Sequence, residues 1–322
     1  MRPYFSVTIP AYKKKFLAEA IKSVLAQTDD DFELIIVNDH SPEDLDSVVK
    51  QFSDSRIHYF VNQKNCGAIN VVDNWNICLN YSSGEYVLCM GDDDKLLPCC
   101  LSEYRKLISD YPNLAVYHGW TEIIDENSKP ILMQEGRPVY ESMFSAIYAR
   151  WKGRLSFIGD YLFHTETLKK DGGFYFLPLA WGSDDLSSFI AASHAGIANT
   201  QVPVFQYRIN SLTLSSTGNS KIKLQSIKGY KECCQSLLAN TKVNDGVSKI
   251  FKMMAINELT HTIMKKQILE IKSDMIKNGI FEGIFKWYKL KKEIEISLST
   301  IILSAFEAIK AKAWMHKNKN KK

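Results

Sequence analysis

The stretch Gly84-Glu-Tyr-Val-Leu-Cys-Met-Gly-Asp-Asp-Asp-Lys-Leu-Leu-Pro98 joins an apolar run directly to three aspartates. The run from Tyr86 to Met90 has the length and composition of a buried strand, and Asp92, Asp93 and Asp94 follow at its carboxyl end. Three adjacent carboxylates repel one another, so a cation or solvent must balance their charge. Mg²⁺ and Mn²⁺ take oxygen ligands and often bridge a carboxylate to substrate phosphates. Two interpretations stay open here, a metal site and a solvated acidic turn.

Working outward, the residues before this stretch repeat a strand followed by a helix. Apolar runs at 5–9, 34–37 and 57–61 alternate with segments whose apolar residues have helical spacing, and 86–90 is the fourth run. This alternation predicts an α/β fold with a mostly parallel, doubly wound sheet. Because the carboxyl ends of parallel strands meet at one edge, the polar residues that follow the strands should converge there. They are Tyr12, Asp39, Asn65 with Gly67, and the three aspartates.

Several classes of protein are disfavoured by what the sequence lacks. No GxGxxG follows the first strand and no GxxxxGK[ST] occurs, so neither a dinucleotide fingerprint nor a P-loop is predicted. The seven cysteines include no CxxC pair, which favours a reducing compartment over a disulfide framework or a zinc site. We also expect no signal peptide and no membrane-spanning helix, because no apolar run of about 18 residues is present.

The net charge of +4 is unevenly distributed along the chain. Residues 217–322 contain 21 lysines, no arginine and nine acidic residues, whereas residues 1–216 carry an excess of eight negative charges. This shift in composition predicts a body at 1–216 and a basic helical C-terminal region at 217–322. Such a region needs an anionic partner or a solvated surface. The absence of arginine argues against a nucleic-acid partner.

Apolar and basic residues are interleaved near the C-terminus. Residues 281–290 and 298–309 each place apolar side chains at helical spacing, among them Phe281, Phe285 and Trp287, with lysines between them. A basic amphipathic helix with aromatic residues can lie on an anionic membrane surface. The alternative is a helix that packs on the body and leaves its lysines in solvent.

A second acidic pair, Asp184 and Asp185, stands at the start of a predicted helix. A carboxylate in this position can simply cap the helix, and it can also act as a base in catalysis. The sequence around the pair does not choose between these two roles.

Five blocks of the chain, in their order and spacing, resemble the inverting bacterial glycosyltransferases of family 2, which have the GT-A fold. The resemblance covers about residues 4–216. The blocks are Val7-Thr-Ile-Pro-Ala-Tyr12, Ser23-Val-Leu-Ala-Gln-Thr28, Ile36-Val-Asn-Asp-His-Ser41, Asn65 and Gly67 with Gly84-Glu-Tyr-Val87, and Asp184-Asp-Leu186 with Tyr207-Arg208.

The resemblance implies a role for each matching residue. Asp185 would be the catalytic base, with Asp184 as its neighbour and Arg208 near the donor diphosphate. The nucleotide would be bound by Pro10, Ala11, Tyr12, Asp39, Asn65, Gly67, Asp92 and Asp93. Asp93 and Asp94 would hold a divalent metal, Mn²⁺ or Mg²⁺. His164 and residues 172–174 would fall near the acceptor. Five positions depart from the family pattern: Gly91 replaces the first aspartate of the DxD motif, Asn38 and His40 alter the turn around Asp39, Trp75 stands where arginine is common, and Asp184 replaces the usual glutamate.

The activity implied is transfer of a sugar from a nucleoside diphosphate donor, most simply UDP, to a saccharide or lipid-linked acceptor. This activity would belong to cell-surface polysaccharide synthesis at the inner face of the cytoplasmic membrane. One rival is a non-catalytic sugar-nucleotide-binding or scaffold protein of the same fold. Another is a nucleotidyltransferase, for which a glycine-rich loop after the first strand would be expected; Pro10 to Lys15 contains no glycine.

Overall fold

The computed structural model describes residues 2–210, 219–243 and 245–319. The predicted boundary between residues 216 and 217 lies outside these ranges, as do Lys321 and Lys322. The strands are β1 (Phe5–Ala11), β2 (Phe32–Asn38), β3 (Ile57–Val61), β4 (Tyr86–Cys89), β5 (Lys95–Leu96), β6 (Val116–Ile124), β7 (Pro130–Met133), β8 (Tyr140–Glu141), β9 (Tyr161–His164) and β10 (Ile197–Arg208). The helices are α1 (Leu17–Leu25), α2 (Asp46–Val49), α3 (Val71–Tyr81), α4 (Cys100–Asp110), α5 (Met143–Trp151), α6 (Thr165–Lys170), α7 (Ser183–Ala195), α8 (Ser220–Asn240), α9 (Gly246–Asn278), α10 (Ile280–Leu290) and α11 (Leu298–Lys319).

These strands form one sheet in the order β3-β2-β1-β4-β9-β6-β10-β5, with β7 beside β6 and β8 beside β10. Strands β1 to β4 are mutually parallel, as the sequence predicts. Strand β9 lies antiparallel between β4 and β6, so the complete sheet is mixed. Strands β1, β2 and β4 are buried along almost their whole length because helices cover both faces of the sheet. The predicted α/β fold class is confirmed.

Two hydrophobic cores lie on the two faces of the sheet. One face is covered by α1, α2 and α4. The other is covered by α3, α5 and α7 together with the C-terminal helices, and it buries Leu186 of α7, Trp287 of α10 and Ile301 of α11 in one cluster. The sequence grouped Trp287 with the residues of a membrane-facing surface; this was wrong, because the indole is fully buried in this core. Phe281 and Phe285 of the same helix are exposed instead.

Strand β10 differs from its prediction in a way that affects the site. A proline within the apolar run at 197–207 favours two strands that are separated at Pro203. One continuous strand is found instead, with register shifts against β6 on both sides of Pro203. Proline cannot donate a ladder hydrogen bond, so it is accommodated at an irregularity of the strand. The strand then continues to Arg208, which lies beside the loop that carries Asp92, Asp93 and Asp94. We refer to this loop as the acidic loop.

Candidate functional site

A cavity of about 390 Å³ opens at the carboxyl edge of the parallel strands, where the sequence predicts convergence. Eight residues of the predicted site line it: Pro10, Tyr12, Asp39, Asn65, Gly67, Asp92, Asp93 and Asp94. Ala11 does not reach the cavity, because it is fully buried within β1. Trp75 and Tyr207 add aromatic surface to the lining. We refer to this space as the donor cavity.

Asp39 is held rigidly at one end of the donor cavity. Its Oδ1 accepts hydrogen bonds from the backbone N–H of Cys66 at 2.9 Å and from Nδ2 of Asn62 at 2.9 Å. The amide of Asn65 donates to the Asp39 carbonyl at 2.7 Å. His40 follows with φ of 49°, in the left-handed region that favours glycine. His40 replaces the glycine of the family pattern, and its backbone nevertheless has the left-handed conformation that glycine favours.

Each of the three aspartates in the acidic loop has its own partners. Asp92 Oδ2 accepts from the backbone N–H groups of Tyr12 at 2.7 Å and Lys13 at 2.6 Å, which ties the loop to the end of β1. Asp94 Oδ1 accepts from the N–H of Arg208 at 2.9 Å. Asp93 Oδ2 accepts from Nδ2 of Asn210 at 2.6 Å. Asp93 is the most exposed of the three, because Asp92 and Asp94 are buried.

Burial and mutual repulsion raise the proton affinity of this loop. Desolvation, followed by the charge of Asp93, raises the pKa of Asp92 to about 6 and that of Asp94 well above its usual range. A divalent cation placed here would oppose both effects. Burial thus makes it costly to keep all three aspartates charged without a cation, the group that the resemblance implies here.

The backbone at Gly91 leaves a cradle for such an ion. A Cβ added at Gly91 would stand 2.8 Å from Asp93 Oδ1 and 2.9 Å from Asp94 Oδ2, so two carboxylate oxygens converge on the space that glycine leaves open. Within the residues that the structure describes, no group of three or more His, Cys, Asp or Glu side chains could hold a metal ion. The Asp93–Asp94 pair fits a cation whose other ligands are phosphate or water oxygens.

Arg208 does not reach the surface of the donor cavity. Its side chain is fully buried, with Nε donating to the carbonyl of Asp93 at 2.7 Å and Nη2 donating to Glu19 Oε2 at 2.9 Å. Nη1 donates to the carbonyls of Asp125 at 3.1 Å and Glu126 at 3.2 Å in the β6–β7 turn. These contacts make Arg208 a positioning residue that fastens the acidic loop to that turn. In this arrangement the guanidinium is not available to the diphosphate that the resemblance placed beside it.

The second acidic pair lines a separate cavity of about 300 Å³. Asp185 is only 1% exposed, and its Oδ1 accepts from Nε of Arg150 at 2.6 Å while its Oδ2 accepts from the Tyr230 hydroxyl at 3.3 Å. Asp184 is half-buried; desolvation and the charge of Asp185 raise its pKa to about 7. We refer to this space as the acceptor-side cavity.

A short wall separates the two cavities. Leu179 and Ala180 line both of them. Both residues have positive φ, 62° and 51°, a conformation that costs non-glycine residues free energy. Gly182 at φ of 103° then leads into α7 and its carboxylates. The donor cavity and the two candidate bases are therefore neighbours across a strained turn.

Sequence reasoning missed several residues of this arrangement. Arg150, Tyr230 and the α9 residues around Lys266 lie far from Asp185 in the chain, and no motif marks them. In contrast, His164 and residues 172–174 line neither cavity. His164 caps α6 through Thr167, and Phe174 is buried in the core; their place near the acceptor stays a prediction.

Comparison with known proteins finds related sequences and structures. The profile of the family described as "Glycosyl transferase family 2" matches residues 6–164. The GalNAc(5)-diNAcBac-PP-undecaprenol beta-1,3-glucosyltransferase of Campylobacter jejuni is 42% identical over 103 residues, which cover 31% of this chain and 33% of the relative. The match thus spans about a third of that relative's length.

Solved structures support the same fold over nearly the whole chain. S. aureus TarS 1-349 in complex with UDP-GlcNAc aligns with a TM-score of 0.66 at 16% identity, covering 96% of this chain and 91% of that chain. The mannosyltransferase PcManGT of Pyrobaculum calidifontis, in complex with GDP-Man and Mn²⁺, aligns with a TM-score of 0.54 at 15% identity, covering 96% and 88%. At these identities the likeness shows the GT-A fold alone.

Proposed function

We propose that the chain, whose residues 6–164 match the profile of glycosyl transferase family 2, transfers a sugar from a nucleoside diphosphate donor to an acceptor hydroxyl with inversion. The observation that carries this proposal is the pair of neighbouring cavities that share Leu179 and Ala180 in their lining. One cavity has an acidic loop suited to a diphosphate and its cation. The other has a pair of carboxylates suited to a hydroxyl.

In the donor cavity, Asp39 would accept a hydrogen bond from a ring N–H of the base, which suits uracil. Tyr12, Asn65 and Gly67 would surround the base and ribose. Asp93, together with Asp94, would hold Mn²⁺ or Mg²⁺, which when bound would neutralise the charge that develops on the leaving diphosphate. Arg208 and Asn210 would keep Asp93 and Asp94 in position through the hydrogen bonds described above.

On the acceptor side, the reaction would be a single displacement. The acceptor oxygen attacks the anomeric carbon, its proton passes to the carboxylate of Asp185, and the bond to the diphosphate oxygen breaks with its electron pair leaving on the nucleotide. Arg150 would hold the carboxylate of Asp185 in position through the hydrogen bond from its Nε. Asp184 would stand beside the base as a second acceptor of hydrogen bonds. General-base assistance of this kind contributes about 10²–10⁴-fold to the rate.

The test of this assignment is a pair of variants. Asp185→Asn should retain donor binding measured by calorimetry and lose transfer by about 10²-fold or more, measured as nucleoside diphosphate release. Asp184→Asn should lose less. Near wild-type turnover of Asp185→Asn would show that Asp185 is not the base. A larger loss of transfer in Asp184→Asn than in Asp185→Asn would contradict the assignment as well.

The same assay separates the two rival functions. Release of UDP from a UDP-sugar is expected of a glycosyltransferase, whereas a nucleotidyltransferase would release or consume pyrophosphate. A scaffold protein would bind the nucleotide and release nothing. A panel of nucleotide sugars in this assay also identifies the donor.

We further propose that the acceptor is a saccharide, in its cellular form linked to a lipid, in cell-surface polysaccharide synthesis. The name of the Campylobacter relative supports this, because it describes a glucosyltransferase acting on an undecaprenyl-diphosphate-linked saccharide. The enzyme would then work in the cytoplasm at the inner face of the membrane. None of the helices within the described ranges is long and apolar enough to cross a bilayer.

The surface of α10 and α11 supports peripheral attachment to an anionic membrane. Phe281 and Phe285 are 78% and 68% exposed, and further apolar side chains on the two helices are about half exposed: Tyr288, Leu298, Ile302, Phe306 and Ile309. Exposed lysines stand among them, including Lys289, Lys292 and Lys312. Each lysine near an anionic surface contributes roughly 1 kcal/mol of binding free energy. Packing on the body occupies only the opposite face, with Trp287, Ile301 and Ala308.

Vesicle flotation tests the attachment with the full chain. Truncation is unsuitable, because it removes Trp287 and Ile301 from the core. The wild type should float with phosphatidylglycerol vesicles and not with phosphatidylcholine vesicles. The double variant Phe281→Ser/Phe285→Ser should stay at the bottom of the gradient with both kinds of vesicle. Val61→Ser, at a 53% exposed apolar position of β3, is the matched control. Equal flotation of the double variant and the control would exclude this surface.

A further inference from the structure

We propose that the acceptor-side cavity holds a neutral pyranose ring of the acceptor, and that Lys266 and Glu270 of α9 select this ring. The inference rests on the proposed function, because only a transferase needs an acceptor site. It assigns a specificity-determining role to the C-terminal region, whose helices carry none of the blocks that resemble the family.

The wall of the cavity comes from three parts of the chain, one of which is Arg150 of α5. Asp184 and Asp185 are supplied by the first turn of α7, and Trp181 and Gly182 precede them. The facing residues are Lys266, Leu269 and Glu270 of α9. Positions three and four apart share one face of a helix, so these three side chains form a continuous surface opposite the carboxylates.

The charges that line this cavity do not suit a phosphate group. Three carboxylates, those of Asp184, Asp185 and Glu270, face two cations, Arg150 and Lys266. Arg150 is already engaged with Asp185, and Glu270 lies 3.7 Å from Nζ of Lys223. Each cation at the cavity already has a carboxyl neighbour, Arg150 with Asp185, Lys223 with Glu270 and Lys266 with Asp184, so a phosphate would have to compete for each of them. A polyhydroxy ligand fits, because carboxylates accept hydrogen bonds from hydroxyls and the ammonium of Lys266 donates to them.

The aromatic side chain at the cavity supports the choice of a pyranose ring. Trp181 is half-buried, with the ammonium of Lys223 over the indole at 4.0 Å from its centroid. Indole rings pack well against the C–H face of a sugar, while the hydroxyls at the edge of the sugar reach polar neighbours. A volume of about 300 Å³ lies at the lower end of the range for small-ligand pockets, which suits a terminal sugar unit rather than a long chain.

The rim of the cavity leaves room for the rest of the acceptor. Leu269 is 60% exposed although it lines the cavity, so the opening lies at the surface of α9. The terminal sugar would thus enter past α9, and the remainder of the saccharide would stay outside. A lipid-linked diphosphate would accordingly remain outside the cavity, away from the carboxylates that line it.

Kinetics with simple acceptors test the assignment. UDP release from the donor identified by the panel is measured alone and with increasing concentrations of methyl glycosides of glucose, galactose, N-acetylglucosamine and N-acetylgalactosamine. The variants are Glu270→Gln and Lys266→Met. Glu258→Gln is the matched control, since Glu258 lies on the same helix, pairs with Lys152 and lines neither cavity.

At least one glycoside should accelerate UDP release by the wild type. Its KM should rise about tenfold or more in Glu270→Gln and in Lys266→Met, the effect of a lost charge-assisted hydrogen bond, while the KM for the donor stays at the value of Glu258→Gln. Unchanged glycoside KM in both variants would overturn the role of α9. Failure of every glycoside to accelerate release would overturn the neutral saccharide. Absence of UDP release with any donor is a different result, which contradicts the proposed function itself.

Discussion

Replacing Gly91 by alanine is the most direct perturbation of the acidic loop. The added Cβ would lie 2.8 Å from Asp93 Oδ1 and 2.9 Å from Asp94 Oδ2, whereas ordinary contacts of this kind begin at 3.4 Å. Each oxygen must therefore retreat by about 0.5 Å. Asp94 is restrained by the N–H of Arg208 and Asp93 by the amide of Asn210, so the retreat breaks the convergence of the two carboxylates.

The consequence for metal binding follows from the tolerance of coordination distances, which is about 0.2 Å. Disturbing the groups that position metal ligands typically costs about 10–100-fold in metal affinity, and we expect a loss in that range for Gly91→Ala. The measurement is a calorimetric titration of Mn²⁺ in the presence of UDP, with a chelator-treated sample as the metal-free reference. The fold should survive, because the clash involves side-chain atoms only.

Gly136→Ala is the control for this experiment. Gly136 has no atom within 4 Å of an added Cβ, so the same chemical change there meets open space. The reasoning would be refuted if Gly91→Ala bound Mn²⁺ and UDP as tightly as Gly136→Ala. It would also be refuted if chelation left the affinity of the wild type for UDP unchanged.

Three further perturbations probe other parts of the molecule. The pKa of Asp184 is raised to about 7, so between about pH 4 and pH 7 the folded protein holds a proton that the unfolded chain has released. The free energy of unfolding should therefore fall as pH rises from about 4 to about 7. Urea titrations of Asp184→Asn should show a weaker dependence of this free energy on pH. Trp287→Ala should destabilise by about 3–5 kcal/mol in urea unfolding, whereas Phe285→Ala should change stability by less than about 0.5 kcal/mol; similar values would contradict their burial. Arg208→Lys leaves buried carbonyls unpaired and should cost about 1–3 kcal/mol, with faster hydrogen exchange in the β6–β7 turn; unchanged exchange would exclude a positioning role.

The parts of the fold that could be predicted are those set by local pattern. The apolar runs at 5–9, 34–37, 57–61 and 86–90 correspond to β1–β4, because a strand covered on both faces must be apolar throughout. The convergence of Asp39 and the acidic loop followed from the parallel arrangement alone. These predictions needed no knowledge of any long-range contact.

The parts that could not be predicted depend on pairings between distant segments. Arg150 and Tyr230 reach Asp185 only because α5, α7 and α8 pack together. The resemblance placed Arg208 near a diphosphate, whereas its burial is set by the carbonyls of the β6–β7 turn. Likewise, helical spacing could not say which face of α10 meets the core, so Trp287 and Phe285 looked equivalent in the sequence.

The two sides of helix α9 contact different parts of the molecule. Its core side holds Ala255, Ile263 and Ile271, and a short stretch that lines the acceptor-side cavity carries Lys266, Leu269 and Glu270. Under the proposed role of α9, the choice of acceptor could therefore change between related chains through a few substitutions on one helix, while the donor cavity stays as it is.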